Sequence, residues 1–159
     1  MSLTEEIKNK FASHFVSAHA EFGDETIGLK REGLFEVANF LKNHAVTPFN
    51  LLLDICAVDY LGQKPRFEVV YHLYALESKT RLRLKVSVPE EDPVVSSVVS
   101  IWPTADWYER EAWDLMGVKF HGHPNLKRLM MWEEFEGHPL RKDYAINKRQ
   151  AIPVTAEKV

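Results

Sequence analysis

The sequence predicts an α+β fold: a two-layer domain with a mainly antiparallel sheet of about four strands, helices on one face, and an extended C-terminal arm. Three observations carry this. Leu82, Leu84, Val86 and Val88 alternate strictly with Arg81, Arg83, Lys85 and Ser87, the pattern of a strand with one buried and one wet face. That segment follows two other apolar runs, FNLLLDICAVDY and RFEVVYHLYAL, and turn-like stretches at 62–65 and 77–79 separate the three. Long periodic segments stop at Gly117, after which glycine, proline, histidine and paired basic residues dominate.

The elements follow in chain order. Leu3, Ile7, Phe11, Phe15 and Phe22 make a stripe close to helical period, with Ser2 and Glu5 at capping-box spacing before it; the helix is expected to run until Gly23 and Asp24. Residues 26–30 suit a short strand. Leu34, Val37, Ala38 and Leu41 mark a second amphipathic helix ending before Pro48. The three-stranded meander occupies 49–88. Asp92 then Pro93 has the form of a helix start and leads into VVSSVVSIW, expected to be helical. A further helix covers ADWYEREAWDLM. Residues 1–117 thus form the domain, and 118–159 an arm with no independent core, which a partner surface is expected to order.

Composition narrows the function. With 45% hydrophobic and 27% charged residues the chain suits one folded domain. Residues 1–118 carry a net charge of −6 and residues 119–159 a net of +3, so an acidic body bears a basic tail suited to an acidic neighbour. The mild overall charge of −3 and the interleaving of cations with acids argue against a nucleic-acid protein. Cys56 is the one cysteine, so the chain can form no internal disulfide and no cysteine-ligated iron–sulfur cluster; it is expected to be buried. Nothing resembles a signal peptide or a membrane span.

The densest information lies between Glu109 and Tyr144. Arg110 and Asp114 have the i,i+4 spacing of a helical ion pair. Gly122, His123 and Pro124 recur as Gly137, His138 and Pro139, and basic pairs follow each: Lys127 with Arg128, and Arg141 with Lys142. Glycine permits a left-handed backbone and proline extends the residue before it, so the chain turns sharply twice and presents cations at fixed places. Arginine grips carboxylates bidentately, which suits a protein–protein seam. Asp54 and Asp59, on the first meander strand, are stray acids suited to pairing with a neighbouring base.

The segment resembles the signature of the 30-kilodalton (C) subunit family of NADH:quinone oxidoreductase, respiratory complex I. Glu109, Arg110, Glu111 and Asp114 match its E-R-E-x-x-D start, and 122–124 and 137–144 match its G-H-P and G-H-P-L-R-K-D-Y elements. DICAVDYLG, RFEVVYHLY and LRLKV look like the family's sheet, so the resemblance spans roughly 30–146. Asn125, Phe135 and Ala145 depart from an acid, a tryptophan and a proline common in the family. The resemblance implies a peripheral-arm subunit of a proton-translocating enzyme complex, with no catalytic residue and no bound cofactor of its own. FMN and iron–sulfur clusters reside in partner subunits. The implied neighbours are the quinone-binding D subunit and the iron–sulfur B and I subunits, at the cytoplasmic side of the cell membrane. Within that picture Glu109, Arg110, Glu111 and Asp114 form a charged helix face, and His123, Pro124, His138 and Pro139 shape two bends. Lys127, Arg128, Arg141, Lys142 and Asp143 make intersubunit ion pairs, and Tyr144 is an aromatic anchor.

Two alternatives stay open. Membrane-bound hydrogenases and formate-hydrogen-lyase-type complexes contain a homologous module, which would change the electron donor and acceptor but not the docking role. A metal-dependent hydrolase would use His121, His123 and His138, with Glu133, Glu134 or Glu136 as base. Those histidines lie in Gly/Pro-rich loops and lack the H-E-x-x-H spacing. Ser96, Ser97 and Ser100 lack a glycine-flanked nucleophile elbow and suit structural roles.

Overall fold

A computed structural model of the chain describes residues 2–152; the last seven residues of the expected arm lie outside them. Helix α1 spans Leu3–Lys10, strand β1 Phe15–His19, β2 Glu25–Leu29, α2 Leu34–Lys42, β3 Leu51–Asp59, β4 Phe67–Ala75, β5 Thr80–Val88, β6 Val94–Ser96, α3 Ala105–Met116 and β7 Lys119–His121. Five strands form the main sheet in the order β1-β2-β5-β4-β3, and β6 pairs with β7 in a small second sheet. The meander pairs antiparallel as its alternation requires, whereas β2 joins β5 in parallel. One sheet face carries the core: Leu82, Leu84, Val86 and Val88 of β5 lie beside Phe67, Val69, Tyr71 and Leu73 of β4, all essentially buried. Ile7 of α1, Val37 and Leu41 of α2, and Ala112 of α3 close over that core.

Four expectations need correction. The first helix ends at Lys10, with the capping box at Ser2 and Glu5 in place. Phe15, instead of extending its stripe, opens β1, an edge strand whose next four residues are all exposed. With nothing to bury, that strand shows no apolar alternation and is held by backbone pairing to β2. Residues 94–96 are strand rather than helix. Asp92 gives its carboxylate to Arg31 (2.7 Å) instead of capping a helix, and the valine pairs favour an extended chain. The chain beyond Gly117 is also more engaged than an arm with few core contacts: Val118 and Phe120 are buried in the core, and β7 pairs with β6.

Strand β3 carries a bulge between Leu52 and Asp54. The extra residue shifts the alternation, so Leu52 and Ile55 both face the core while Asp54 and Cys56 stand on the opposite, open face. Cys56 is therefore half-buried on the open face, not in the core as expected. Trp102 donates from its indole nitrogen to the Phe49 carbonyl (2.9 Å), which fixes the entry to α3 beside β3.

Candidate functional site

Helix α3 is amphipathic in an unusual sense, because its buried face carries charges. Glu109, Arg110 and Asp114 are all buried. Glu109 meets the segment that follows β6, accepting from the Ser97 hydroxyl (2.6 Å) and the Val98 amide (2.7 Å). Burial raises its carboxyl pKa to about 7, and those two hydrogen bonds only partly oppose the shift. Glu111 is exposed.

Arg110 and Asp114, at pairing distance in sequence, take separate partners. Arg110 donates to the carbonyls of Lys127 (3.2 Å) and Arg128 (3.1 Å) and lies over the Trp107 ring, 5.0 Å from its centroid. One oxygen of Asp114 accepts the amides of Leu129 (2.9 Å), Met130 (2.8 Å) and Met131 (2.9 Å), and the other accepts from Arg128 (2.6 Å). Burial pushes the Asp114 pKa up, but the three amides and Arg128 outweigh it and leave the group below its usual value. Arg128 continues to the carbonyls of Phe135 and Gly137. One buried carboxylate thus ties residues 128–137 to the helix.

The two bends close around this knot. His123 accepts the Asn125 amide at Nδ1 (3.0 Å), so its Nε2 carries the proton donated to the Asp106 carbonyl (3.2 Å). His138 donates from Nδ1 to the Asp114 carbonyl (2.9 Å). Its ring also covers Gly117, the left-handed cap of α3 (φ +82°), where a Cβ would lie 2.7 Å from the ring. Gly122 and Gly137 both adopt positive φ, as the repeated motif requires. The Tyr144 ring stacks on Phe135, with centroids 5.9 Å apart, and closes the turn at Gly137.

A second knot joins the arm to the sheet. Asp59 ends β3 and Arg66 precedes β4, and they form a buried bidentate pair with both contacts at 2.8 Å. Asp59 also accepts the Lys142 amide (2.8 Å), while Arg66 reaches Asp143 (2.9 Å) and Glu90. Arg141 holds Asp143 through two contacts at 3.0 Å and Glu90 at 3.2 Å. Arg66 holds the Asp59 carboxyl below its usual value, and Arg141, then Arg66, do the same for Asp143. Arg66 and Glu90 were not singled out from the sequence. The signal available was positional: a hairpin that ends one strand on an acid and opens the next beside an arginine brings the two together.

Arg128, Arg141 and Asp143 are therefore engaged within the chain. Lys127 and Lys142 are exposed, together with Trp107, Met130 and Leu140. His123 bonds through both ring nitrogens and His138 through Nδ1 within the chain, and among the described residues no grouping of three metal-ligating atoms includes His121, His123 or His138. The hydrolase alternative loses its site. No helix among the described residues is long and apolar enough to cross a membrane.

The model of the family described as "Respiratory-chain NADH dehydrogenase, 30 Kd subunit" matches residues 27–150, a stretch that includes both knots. The chain belongs to this 30-kilodalton subunit family. Among curated members, the C subunit of the NADH-quinone oxidoreductase of Geobacter metallireducens is 45% identical over 141 residues, covering 88% of this chain and 86% of that one. The second C subunit of the Rhizobium meliloti NADH-quinone oxidoreductase is 45% identical over 153 residues, with 95% and 79% covered. Among solved structures, a trypsin-resistant fragment of Nqo5 has 34% identity and a TM-score of 0.68, covering 79% of this chain and all (100%) of the fragment. A chain of an archaeal respiratory complex, the membrane-bound sulfane sulfur reductase, has 26% identity and a TM-score of 0.74, with 91% and 85% covered. In this member of the family, α1 and β1 precede the matched stretch, and every charged residue of the two knots falls within it.

Proposed function

We propose that this 30-kilodalton-family chain is the docking subunit of a proton-translocating NADH:quinone oxidoreductase. It contributes no flavin, iron–sulfur cluster, quinone site or catalytic residue; FMN and clusters belong to neighbouring subunits. Its partners are the quinone-binding D subunit and the iron–sulfur B and I subunits, at the cytoplasmic side of the membrane. The observation that carries this is the pair of buried carboxylate knots at Asp59 and Asp114, which tie an irregular arm to the sheet and to α3. A loop fixed by buried charge presents a preformed surface, and binding then costs less ordering entropy. Helix α3 and the arm expose Trp107, Met130 and Leu140, and the cations Lys127 and Lys142, the aromatic, apolar and basic residue types that protein interfaces use.

The test is affinity purification of the tagged chain from its native host, with identification of the co-purifying subunits and assay of NADH:quinone activity. Lys127→Glu with Lys142→Glu should deplete the partner subunits while the isolated chain keeps its melting temperature. Normal assembly with lost turnover would overturn the docking role. Reversal of Arg141 is a poorer probe, since it also breaks the contacts to Asp143 and Glu90. The likeness to a sulfane sulfur reductase chain favours a second reading, a related respiratory complex with another electron donor and acceptor. Co-purification without NADH oxidation would select it.

A further inference from the structure

The open face of the sheet carries a cluster that the docking reading does not use. Asp54 stands directly across from His72 in the β3–β4 ladder, and Cys56 is the next residue of β3 on that face. One ligand atom from each, a carboxylate oxygen, the thiol sulfur and an imidazole nitrogen, all lie within 4.8 Å of one another. We propose that Asp54, Cys56 and His72 form a binding site for a single divalent cation of the zinc class, with a fourth position open to water or to a neighbouring protein of the complex.

The donor set is the first argument. Thiolate, imidazole and carboxylate together suit a borderline-soft ion such as zinc, and neither magnesium nor calcium takes sulfur. The second argument is rigidity. All three side chains rise from paired strands of the central sheet, so their spacing is set by ladder geometry rather than by a loop. Ligand atoms around tetrahedral zinc stand about 3.5 Å apart, so side-chain rotations of roughly an ångström close the site without moving the backbone.

Two features oppose the cation, and the geometry limits both. Arg83 pairs with His72 across β5, but its guanidinium turns toward β2, donating to the Thr26 hydroxyl (3.2 Å) and approaching Asp24 (3.9 Å). Burial and the adjacent Asp54 hold the Cys56 thiol protonated; a bound cation reverses that repulsion and displaces the thiol proton to solvent. The hollow beside Asp54 and His72, whose lining does not include Cys56, also carries Asp24, Glu25, Arg81 and Arg83, so its charged groups are three acids against two arginines.

The experiment titrates the purified full-length chain, stripped with a chelator, with Co(II) as a spectroscopic zinc surrogate and then with Zn(II). A thiolate-to-cobalt charge-transfer band and four-coordinate d–d bands saturating at one equivalent, then lost to Zn(II), are expected. Cys56→Ser should abolish the charge-transfer band. His72→Ala and Asp54→Asn should weaken binding by at least about tenfold, the scale seen when even an outer-shell partner is removed. His121→Ala should change nothing, and far-UV circular dichroism checks that each variant is folded. Absence of a thiolate band in the unmodified chain, or a titration unaltered in Cys56→Ser, overturns the site. Neither result touches the docking role, which is read from the proteins that co-purify.

Discussion

Asp114 illustrates how a single side chain can replace secondary structure. Residues 129–131 form no strand or helix, yet their three amides converge on one carboxylate oxygen. Asparagine keeps the shape but loses the charge and the Arg128 pair, so Asp114→Asn should destabilise the fold by about 3 kcal/mol. Amide hydrogen exchange at Leu129, Met130 and Met131 should quicken while the sheet amides keep their protection; uniform change across the chain would contradict the knot. Glu109 behaves in the opposite sense. Its folded pKa is raised to about 7, so the protonated form is the one the fold favours. Its contribution is fully present below the unfolded pKa of about 4.3 and is lost as pH rises through 7. Glu109→Gln removes that dependence. Relative to the unmodified chain the variant should gain stability from pH 5 to pH 8, by up to roughly 3 kcal/mol at 1.36 kcal/mol per pKa unit. Urea melts at the two pH values check this, and a difference independent of pH would refute the buried-carboxylate account.

At the scale of elements, legibility followed the burial pattern. The meander was readable because β5 buries one face and exposes the other, and α2 because Leu34, Val37, Ala38 and Leu41 all enter the core. β1 was not readable, since four of its five residues are exposed and only backbone pairing defines it. β6 was misread because Asp92, an expected cap, serves Arg31 instead. The charged motif was legible as a unit but not in its contacts: spacing alone suggested an Arg110–Asp114 pair, and the tertiary fold gave each a partner in the arm. The β3–β4 hairpin carries the clearest test at this scale. Arg66 is buried between Asp59 and Asp143, and Arg66→Ala leaves Asp59 buried with only the Lys142 amide. The expected cost is about 3–5 kcal/mol, little changed by added salt because the pair is shielded from solvent. A loss that shrinks to nothing in high salt would show the pair to be effectively solvated.

For the whole molecule, the question is whether the arm is part of the fold or rests on it. Among the described residues the main apolar core ends at Phe120, Leu126 packs against its edge, and the buried Phe135 lies apart from it against Trp132 and Tyr144. The remaining contacts of 122–150 are mostly hydrogen bonds and ion pairs onto Asp59, Arg66, Arg110 and Asp114. Ending the chain after His121 removes those partners but also uncovers the groups they served. Asp114 and Arg110 then regain water, and the Asp59–Arg66 pair survives intact. The truncated chain should therefore lose less than the point variants that leave a charge buried and unpaired, about 2 kcal/mol, or roughly 4–8 °C in melting temperature. It should unfold cooperatively and yet fail to co-purify with the partner subunits. An unfolded truncated chain would mean that the arm is integral to the domain, and the separation of a self-sufficient body from a docking surface would have to be abandoned.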